Sequence, residues 1–344
     1  MTEPLLRATG IRAAYRVGDG RETVAVDDVS VAIGEGEVLG VAGESGCGKS
    51  TLGSVLSLTA RPPLVVLAGE LEVAGKVLDL QATGPRSWRG ETVSLLPQGA
   101  MNSLSPTVRI RDMVYHVIRA HERDTSRAQA VQRARERLES LDLPARVLDQ
   151  YPHQLSGGMK QRVVTVISTL LNPRLLIADE PTSALDVSSQ RVLIEMLREM
   201  LDRKIIGSIM FVTHDLPVLN TIADRVAIMY AGRIAEVGGT EGLINRPRHP
   251  YTASLMSSVL VPERRMRDSR VVGIPGSPPS LLDPPQGCRF HPRCPLAMDV
   301  CRHEVPPPAG DERRYAACWW AEDNPDRYVT GSDLTRAVVS ESEA

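Results

Sequence analysis

Two stretches of the chain carry residue types that handle phosphate. Gly43-Glu44-Ser45-Gly46-Cys47-Gly48-Lys49-Ser50 fits the phosphate-binding loop pattern. Its glycines let consecutive backbone N–H groups turn toward a phosphate, and the helix that follows presents its positive end to the same charge. Lys49 adds a point charge on the outer phosphates, and Ser50 is placed to give its hydroxyl to Mg2+. Gly43, Ser45, Gly46, Cys47, Gly48, Lys49, Ser50 and Thr51 are therefore the candidate contacts. Cys47 stands at a variable position and supplies a backbone N–H, while its thiol is expected to make the site sensitive to alkylation. The second stretch, Leu175-Leu176-Ile177-Ala178-Asp179-Glu180, is an apolar run ending in two carboxylates. Asp179 closes a buried strand, where a carboxylate is costly to desolvate unless it serves an ion. Glu180 beside it can polarise an attacking water. An isolated Asp-Glu pair is commonly a strand emerging into solvent; with the loop upstream it reads as the acidic half of a magnesium–triphosphate site.

These residues need a sheet to hold them. Short apolar strands alternate with amphipathic helices from residue 1 to about 245, the pattern of an α/β domain with a largely parallel sheet. Glu37–Ala42 reads as a strand before the loop and Ser50–Ala60 as a helix after it. Leu175–Ala178 and Ser208–Thr213 read as further strands. Between them Val192, Leu193, Met196, Leu197, Met200 and Leu201 recur at helical spacing, which predicts a crossover helix. Ala128, Val131, Ala134, Leu138 and Leu141 mark one face of a charged helix, within a helical subdomain expected over about residues 97–170. From residue 246 to 330 a proline-rich extension is expected, and from 331 to 344 a flexible tail. Residues 262–310 contain 11 prolines, which deny backbone donors and predict neither a conventional helical nor a conventional sheet domain. That segment needs another source of order.

The whole chain bounds the partners. With 344 residues, 40 basic and 42 acidic, it has no charge excess that would dedicate a surface to nucleic acid or anionic lipid. The N-terminus lacks the pattern of a secretory signal, and no apolar run approaches the roughly 20 residues that span a bilayer. A soluble or peripheral chain is expected, linked to any membrane through protein.

Between the two phosphate-handling stretches lies Leu155-Ser156-Gly157-Gly158-Met159-Lys160-Gln161. With this motif the chain resembles the ATP-binding subunit of an ABC transporter, over about residues 15–215. The resemblance implies a RecA-like core with an antiparallel β subdomain and a helical subdomain. It assigns Tyr15 to stacking on adenine, Gln98 to sensing magnesium, Asp186 in Ser183-Ala184-Leu185-Asp186 to the loop after the acidic pair, and His214 to the γ-phosphate. Glu180, His214 and Gln98 are then the candidate catalytic residues. Ser156, Gly157, Gly158 and Gln161 are implied to complete not their own site but that of a second cassette, capping its γ-phosphate from a helix N-terminus. After Gln98, Gly99-Ala100-Met101-Asn102-Ser103-Leu104 departs from the acidic residue and proline of many peptide-importing relatives. This stretch should touch the membrane subunit.

His249-Pro250-Tyr251-Thr252, Pro275-Gly276-Ser277-Pro278-Pro279 and Cys288-Arg289-Phe290-His291-Pro292-Arg293-Cys294-Pro295 resemble the C-terminal extension of the oligopeptide and dipeptide permease group. Cys288, Cys294, Cys301 and Cys318 are separated by five, six and sixteen residues, unlike the tight pairs of zinc fingers. Four thiolates in a stiff loop suit a 4Fe–4S cluster, with Zn2+ as the alternative and unligated or disulfide-bonded thiols as the remainder. The resemblance also implies two transmembrane permease subunits, a second and distinct ATPase subunit, an extracytoplasmic solute-binding protein, and a place on the cytoplasmic face of the membrane. Peptides are the first expectation for cargo, with nickel, glutathione and oligosaccharides as alternatives. A non-transport relative acting on DNA or ribosomes is disfavoured, since the chain carries neither a coiled-coil insertion nor a basic stripe.

Overall fold

A computed structural model of the chain describes residues 3–16, 18, 20–80, 88–257 and 274–334. Two sheets organise it. β1 (Leu6–Arg16), β2 (Glu22–Ile33), β4 (Leu64–Val73) and β5 (Lys76–Leu78) form an antiparallel sheet in the order β2-β1-β4-β5. The second sheet is built around β3 (Val38–Ala42), with β6 (Val93–Leu96), β7 (Leu175–Asp179), β8 (Ser208–Val212), β9 (Arg225–Tyr230) and β10 (Arg233–Gly239). Its order is β11-β12-β10-β9-β3-β8-β7-β6, where β11 is Pro308–Asp311 and β12 is Arg314–Ala317. From β9 to β6 the strands run parallel. Every residue of β3, β7 and β8 is buried, as a parallel sheet covered on both faces requires.

Helix α1 (Lys49–Leu56) follows β3, and the short turn α2 (Trp88–Glu91) precedes β6. A helical region follows, with α3 (Ile110–His121), α4 (Arg127–Ser140) and α5 (Gly157–Ser168). Helix α6 (Val187–Asp202) crosses from β7 to β8, and α7 (Leu216–Ile222) from β8 to β9. After β10 come α8 (Thr240–Asn245) and α9 (Pro250–Ser257), then α10 (Val300–His303) and α11 (Trp319–Asp323) in the extension.

The strand and crossover expectations hold, with local shifts. The first helix ends at Leu56 rather than Ala60. On α6 the buried stripe is Leu193, Ile194, Met196, Leu197, Met200 and Leu201, while Val192 is exposed. On α4 the stripe is Ala130, Ala134 and Leu138, and Ala128 faces solvent because it stands about 200° around the helix from Ala130. A capping box, Ser126 with Gln129, fixes that first turn. Arg133 and Arg137 then tie α4 to the end of α5 through the carbonyls of Leu170 and Thr169 at 2.8 and 3.0 Å.

The proline-rich segment corrects its expectation. It contributes β11 and β12, which extend the main sheet through Glu236↔Ala316 and Val237↔Tyr315. Proline is tolerated because Pro308 opens the outermost strand, whose donors need no partner, while β12 between two neighbours has none. The rest is ordered by docking. Phe290, 1% exposed, packs edge-on against Tyr230 at 5.2 Å and against Tyr251 and His249 at 5.3 and 5.9 Å. Of the expected flexible tail, Gly331–Leu334 is placed, with Leu334 packed on Ala253 and Val329, and residues 335–344 lie outside the described residues. Among the described residues no helix is long and apolar enough to cross a membrane.

Candidate nucleotide site

The site assembles at the carboxyl ends of three adjacent parallel strands, where open α/β sheets place their ligands. β3 delivers the phosphate loop, β7 delivers Asp179 and Glu180, and β8 delivers Thr213 and His214. The loop's shape depends on glycine at two positions. Gly43 and Gly48 adopt φ of 150° and 106°, and a Cβ on either would stand 2.1 Å from a backbone oxygen, of Met229 and Ala25 respectively. Only glycine allows the backbone to approach so closely.

Lys49 Nζ donates to the carbonyls of Gly43 and Glu44 at 2.8 and 2.9 Å, which keeps the ammonium inside the loop's turn. Ser50 Oγ donates to Asp179 Oδ1 at 3.1 Å, so the two expected magnesium contacts meet. Burial pushes the Asp179 carboxyl above its ordinary range, and Glu180 beside it adds to the rise, against the opposing bond from Ser50 and charge of Lys49. A divalent cation here would offset that penalty.

Glu180 has φ of 46°, a left-handed conformation rare for a residue with a side chain, and its N–H is fixed to Val212 O at 2.8 Å. The turn aims its carboxylate at both expected neighbours. Gln98 Nε2 donates to Glu180 Oε2 at 3.2 Å, and His214 Nδ1 lies 3.0 Å from Oε1. Gln98, Glu180 and His214 thus form one connected group. Tyr15, partly exposed on β1, holds its hydroxyl 3.1 Å from Thr51 Oγ1, which sets the ring beside the start of α1.

The signature lies elsewhere. Ser156 caps α5, its hydroxyl accepting from Met159 N at 3.3 Å. Among the described residues no hydrogen bond joins Ser156, Gly157 or Gly158 to residues 43–51. A Cβ at Gly157 would meet nothing, so this helix end is open, whereas one at Gly158 would stand 2.9 Å from Ser189 Oγ. Asp186 caps α6, and the bond from the Ser188 hydroxyl first, then those from Ser189 N at 2.9 Å and Ser189 Oγ at 2.8 Å, hold its carboxyl well below the usual range. Gln161 is 3% exposed. It lies one turn along α5 from the signature glycines.

Cys47 is also corrected. Its side chain is 5% exposed beneath Lys49, and burial pushes its thiol up, against the lowering charge of Lys49. Alkylation needs an accessible thiolate, and neither condition is met.

The four remaining cysteines are free thiols brought into one region. Burial pushes Cys288 up to about 11 and Cys318 to about 12. Cys294 is raised further, by burial first and then by the charges of Cys318, Cys288 and Cys301. Yet among the described residues no group of three or more His, Cys, Asp or Glu is arranged to hold a metal ion. This arrangement supports neither the 4Fe–4S expectation nor its Zn2+ alternative, and the extension's order comes from protein contacts.

Those contacts include charged residues that sequence reasoning passed over. Arg289 Nη2 donates to Asp27 Oδ2 at 2.6 Å, where Arg233 also binds through Nε and Nη2 at 3.0 and 2.7 Å. Arg293 grips Glu44 of the phosphate loop with both terminal nitrogens, at 2.7 and 3.0 Å. Both arginines lie between Cys288 and Cys294, a stretch read for its resemblance and its cysteines and not for its charges. An arginine inside a turn-rich segment otherwise signals nothing but a solvated charge.

The fold and the site define a phosphate-loop ATPase of cassette type. Residues 26–183 match the family model described as ABC transporter, and residues 235–301 match that of the oligopeptide/dipeptide transporter C-terminal region. The Dipeptide transport ATP-binding protein DppD of Caldanaerobacter subterraneus is 41% identical over 88% of this chain and 92% of its own length. The Oligopeptide transport ATP-binding protein OppD of Bacillus subtilis is 40% identical over 84% of this chain and 81% of its own. Among solved structures, cbiO1 of Clostridium perfringens, part of the cbiONQ ABC transporter complex, aligns with a TM-score of 0.60 at 24% identity, over 70% of this chain and 91% of that one. This last likeness concerns the fold alone. The chain belongs to the ABC transporter ATP-binding proteins, in the group that carries the oligopeptide/dipeptide C-terminal region.

Proposed function

We propose that the chain is the ATP-hydrolysing subunit of an importer that takes up di- and oligopeptides through separate membrane subunits. The observation that carries the cargo class is the match of residues 235–301 to the oligopeptide/dipeptide transporter C-terminal region, joined to relatives named for dipeptide and oligopeptide transport. Nickel, glutathione and oligosaccharides are the alternative cargoes for the same machinery.

In this reading Gly43, Ser45, Gly46, Cys47, Gly48, Lys49 and Thr51 bind the triphosphate, and Ser50 with Asp179 holds Mg2+, which supplies charge neutralisation on the phosphates. Tyr15 stacks on adenine. Glu180 orients and polarises the attacking water, held by Gln98 and His214 on its two oxygens. Ser156, Gly157 and Gly158 cap the γ-phosphate bound by a second, distinct cassette, which the open N-terminus of α5 supports. Asp186 shapes the loop between the acidic pair and α6. Two permease subunits and an extracytoplasmic solute-binding protein complete the assembly, with this chain peripheral on the cytoplasmic face.

A 4Fe–4S cluster on Cys288, Cys294, Cys301 and Cys318 is a separate proposal. It is supported by four free thiols brought into one region, where Cys288 N donates to Cys301 O at 2.9 Å and Cys294 is raised first by burial and then by the charges of Cys318, Cys288 and Cys301. Bound there, it would cross-link the extension. Iron and sulfide content of anaerobically purified protein, with visible absorbance bleached by dithionite, tests it; colourless, iron-free protein that retains a folded extension refutes it. Cargo is tested by ATP hydrolysis of the assembled complex in lipid, with its binding protein, against peptides, oligosaccharides and nickel. Stimulation by peptides is the expected result, and stimulation by sugars or nickel alone overturns the cargo.

A further inference from the structure

Glu44 places a carboxylate at the second position of a loop that must attract phosphate. Its carbonyl accepts from Lys49 Nζ at 2.9 Å, so the acidic residue and the loop's cation share one turn. Left free, that carboxylate would compete for Lys49 and repel a triphosphate. The structure removes it from competition. Arg293 binds it as a fork, Nη1 to Oε2 at 2.7 Å and Nη2 to Oε1 at 3.0 Å, with the arginine side chain 7% exposed. Arg293 is itself fixed, donating from Nε to Pro275 O at 2.7 Å and from Nη1 to the Tyr230 hydroxyl at 3.1 Å, with its guanidinium 5.8 Å from the Tyr230 ring centre. On the backbone side, Glu44 N donates to the Tyr251 hydroxyl at 2.9 Å. Apart from Tyr230, these partners come from beyond β10, so the C-terminal segment holds one residue of the phosphate loop by both its main chain and its side chain.

We propose that Arg293 is a positioning residue for nucleotide binding: by anchoring and neutralising Glu44 it makes the affinity of the phosphate loop for MgATP depend on the docked C-terminal extension. Arg293 acts through Glu44 and does not touch the nucleotide. The proposal rests on residues 43–51 being the ATP site.

The test is equilibrium binding of a fluorescent methylanthraniloyl ATP, with Mg2+, to the full chain and to Arg293→Gln, Glu44→Gln and the double variant. Arg293→Gln should weaken binding about ten-fold, within the usual range of coupling between linked sites. The double variant should recover most of that loss, because no free carboxylate remains. Rescue is the readout that a merely structural arginine would not give. The Arg293→Gln defect should also shrink as salt rises, since the released carboxylate becomes exposed and screened. Unchanged binding in Arg293→Gln overturns the proposal, as does a folded double variant that binds as weakly as Arg293→Gln alone. Should Arg293→Gln fail to fold, Arg293→Lys keeps the charge and loses the fork; it should weaken binding several-fold with the same rescue by Glu44→Gln, and unchanged affinity there overturns the proposal equally. Lys49→Ala separates the two levels: if it binds as the unsubstituted chain does, the ATP-site reading falls and takes the proposal with it.

Discussion

Asp27→Asn tests what fastens the extension to the cassette. The Asp27 side chain is 10% exposed and faces three arginines: Arg289, Arg233 and Arg12, whose side chains are 9%, 29% and 53% exposed. These partners do not count equally. The Arg12 pair, at 3.2 Å and half in solvent, is worth under about 1 kcal/mol. Arg233 is partly screened. Arg289 is the expensive one, because its side chain is buried against the β9–β10 turn and, among the described residues, donates to Asp27 and the Ala231 carbonyl. Asparagine keeps the shape and an acceptor but leaves that charge uncompensated, which costs about 3–5 kcal/mol for a broken buried pair. At roughly 0.7 kcal/mol/K of unfolding entropy for a chain of this length, the melting point should fall by about 4–7 °C.

The pH dependence has a definite sign. Burial raises the Asp27 pKa, but the hydrogen bond and charge of Arg233, then the charges of Arg289 and Arg12, overcome it and hold the carboxyl below its ordinary value of 3.8. A group depressed on folding contributes stability that is complete above its unfolded pKa and lost as pH falls through the folded one. The gap between the two proteins should therefore be the same at about pH 7 and about pH 5 and close only in stronger acid. Differential scanning calorimetry at these two pH values measures it. A melting point within about 1 °C of the unsubstituted chain at neutral pH would refute the assigned magnitude, and a gap that closes between the two values would refute Asp27 as its source.

Two further substitutions or treatments address the chemistry. Glu180→Gln should retain MgATP binding and lose at least about a hundred-fold in turnover, since general-base assistance is worth that or more; turnover within ten-fold of the unsubstituted complex, measured by phosphate release, would remove Glu180 from the role. N-ethylmaleimide should leave Cys47 unmodified by mass spectrometry while the chain is folded, because the thiol is covered and its pKa raised. Labelling of Cys47 at the rate of an exposed thiol would contradict its placement under Lys49.

The nucleotide site was legible because each of its parts pairs a local conformation with a local composition. A glycine loop after a strand, or a carboxylate closing an apolar run, is visible within about ten residues of sequence. Gln98, Glu180 and His214 lie on three separate segments, yet each stands at the end of a strand or just past one, and the topology of the sheet brings such ends together. Gln161 sits beside the signature in sequence, and one further turn of α5 leaves it 3% exposed, so helical phase counts as well as proximity in the chain. The docking of the extension was illegible because its bonds to Asp27 and to the phosphate loop join residues 207 to 262 positions apart, such as Asp27 with Arg289, and Glu44 with Tyr251 and Arg293. Neither end of such a pair has a pattern of its own.

The geometry gives the extension a place in the architecture of the loop. A phosphate loop must hold several N–H groups convergent against their mutual repulsion, and here the support comes from three directions. The β9–β10 turn approaches from one side, with Gly232 N donating to Cys47 O at 2.8 Å and the Met229 carbonyl against Gly43. Thr51 is met by Tyr15 of the antiparallel sheet. The third direction is Glu44, held by Tyr251 and Arg293. Glutamate at that position is a liability for a chain without the extension and a handle for a chain that has it. The same turn that supports Cys47 also carries the Ala231 carbonyl that Arg289 binds, so Asp27, the β9–β10 turn and the phosphate loop share one set of supports. Undocking the extension therefore cannot be local: it releases a carboxylate beside Lys49 and loosens the turn beneath Cys47 in one step.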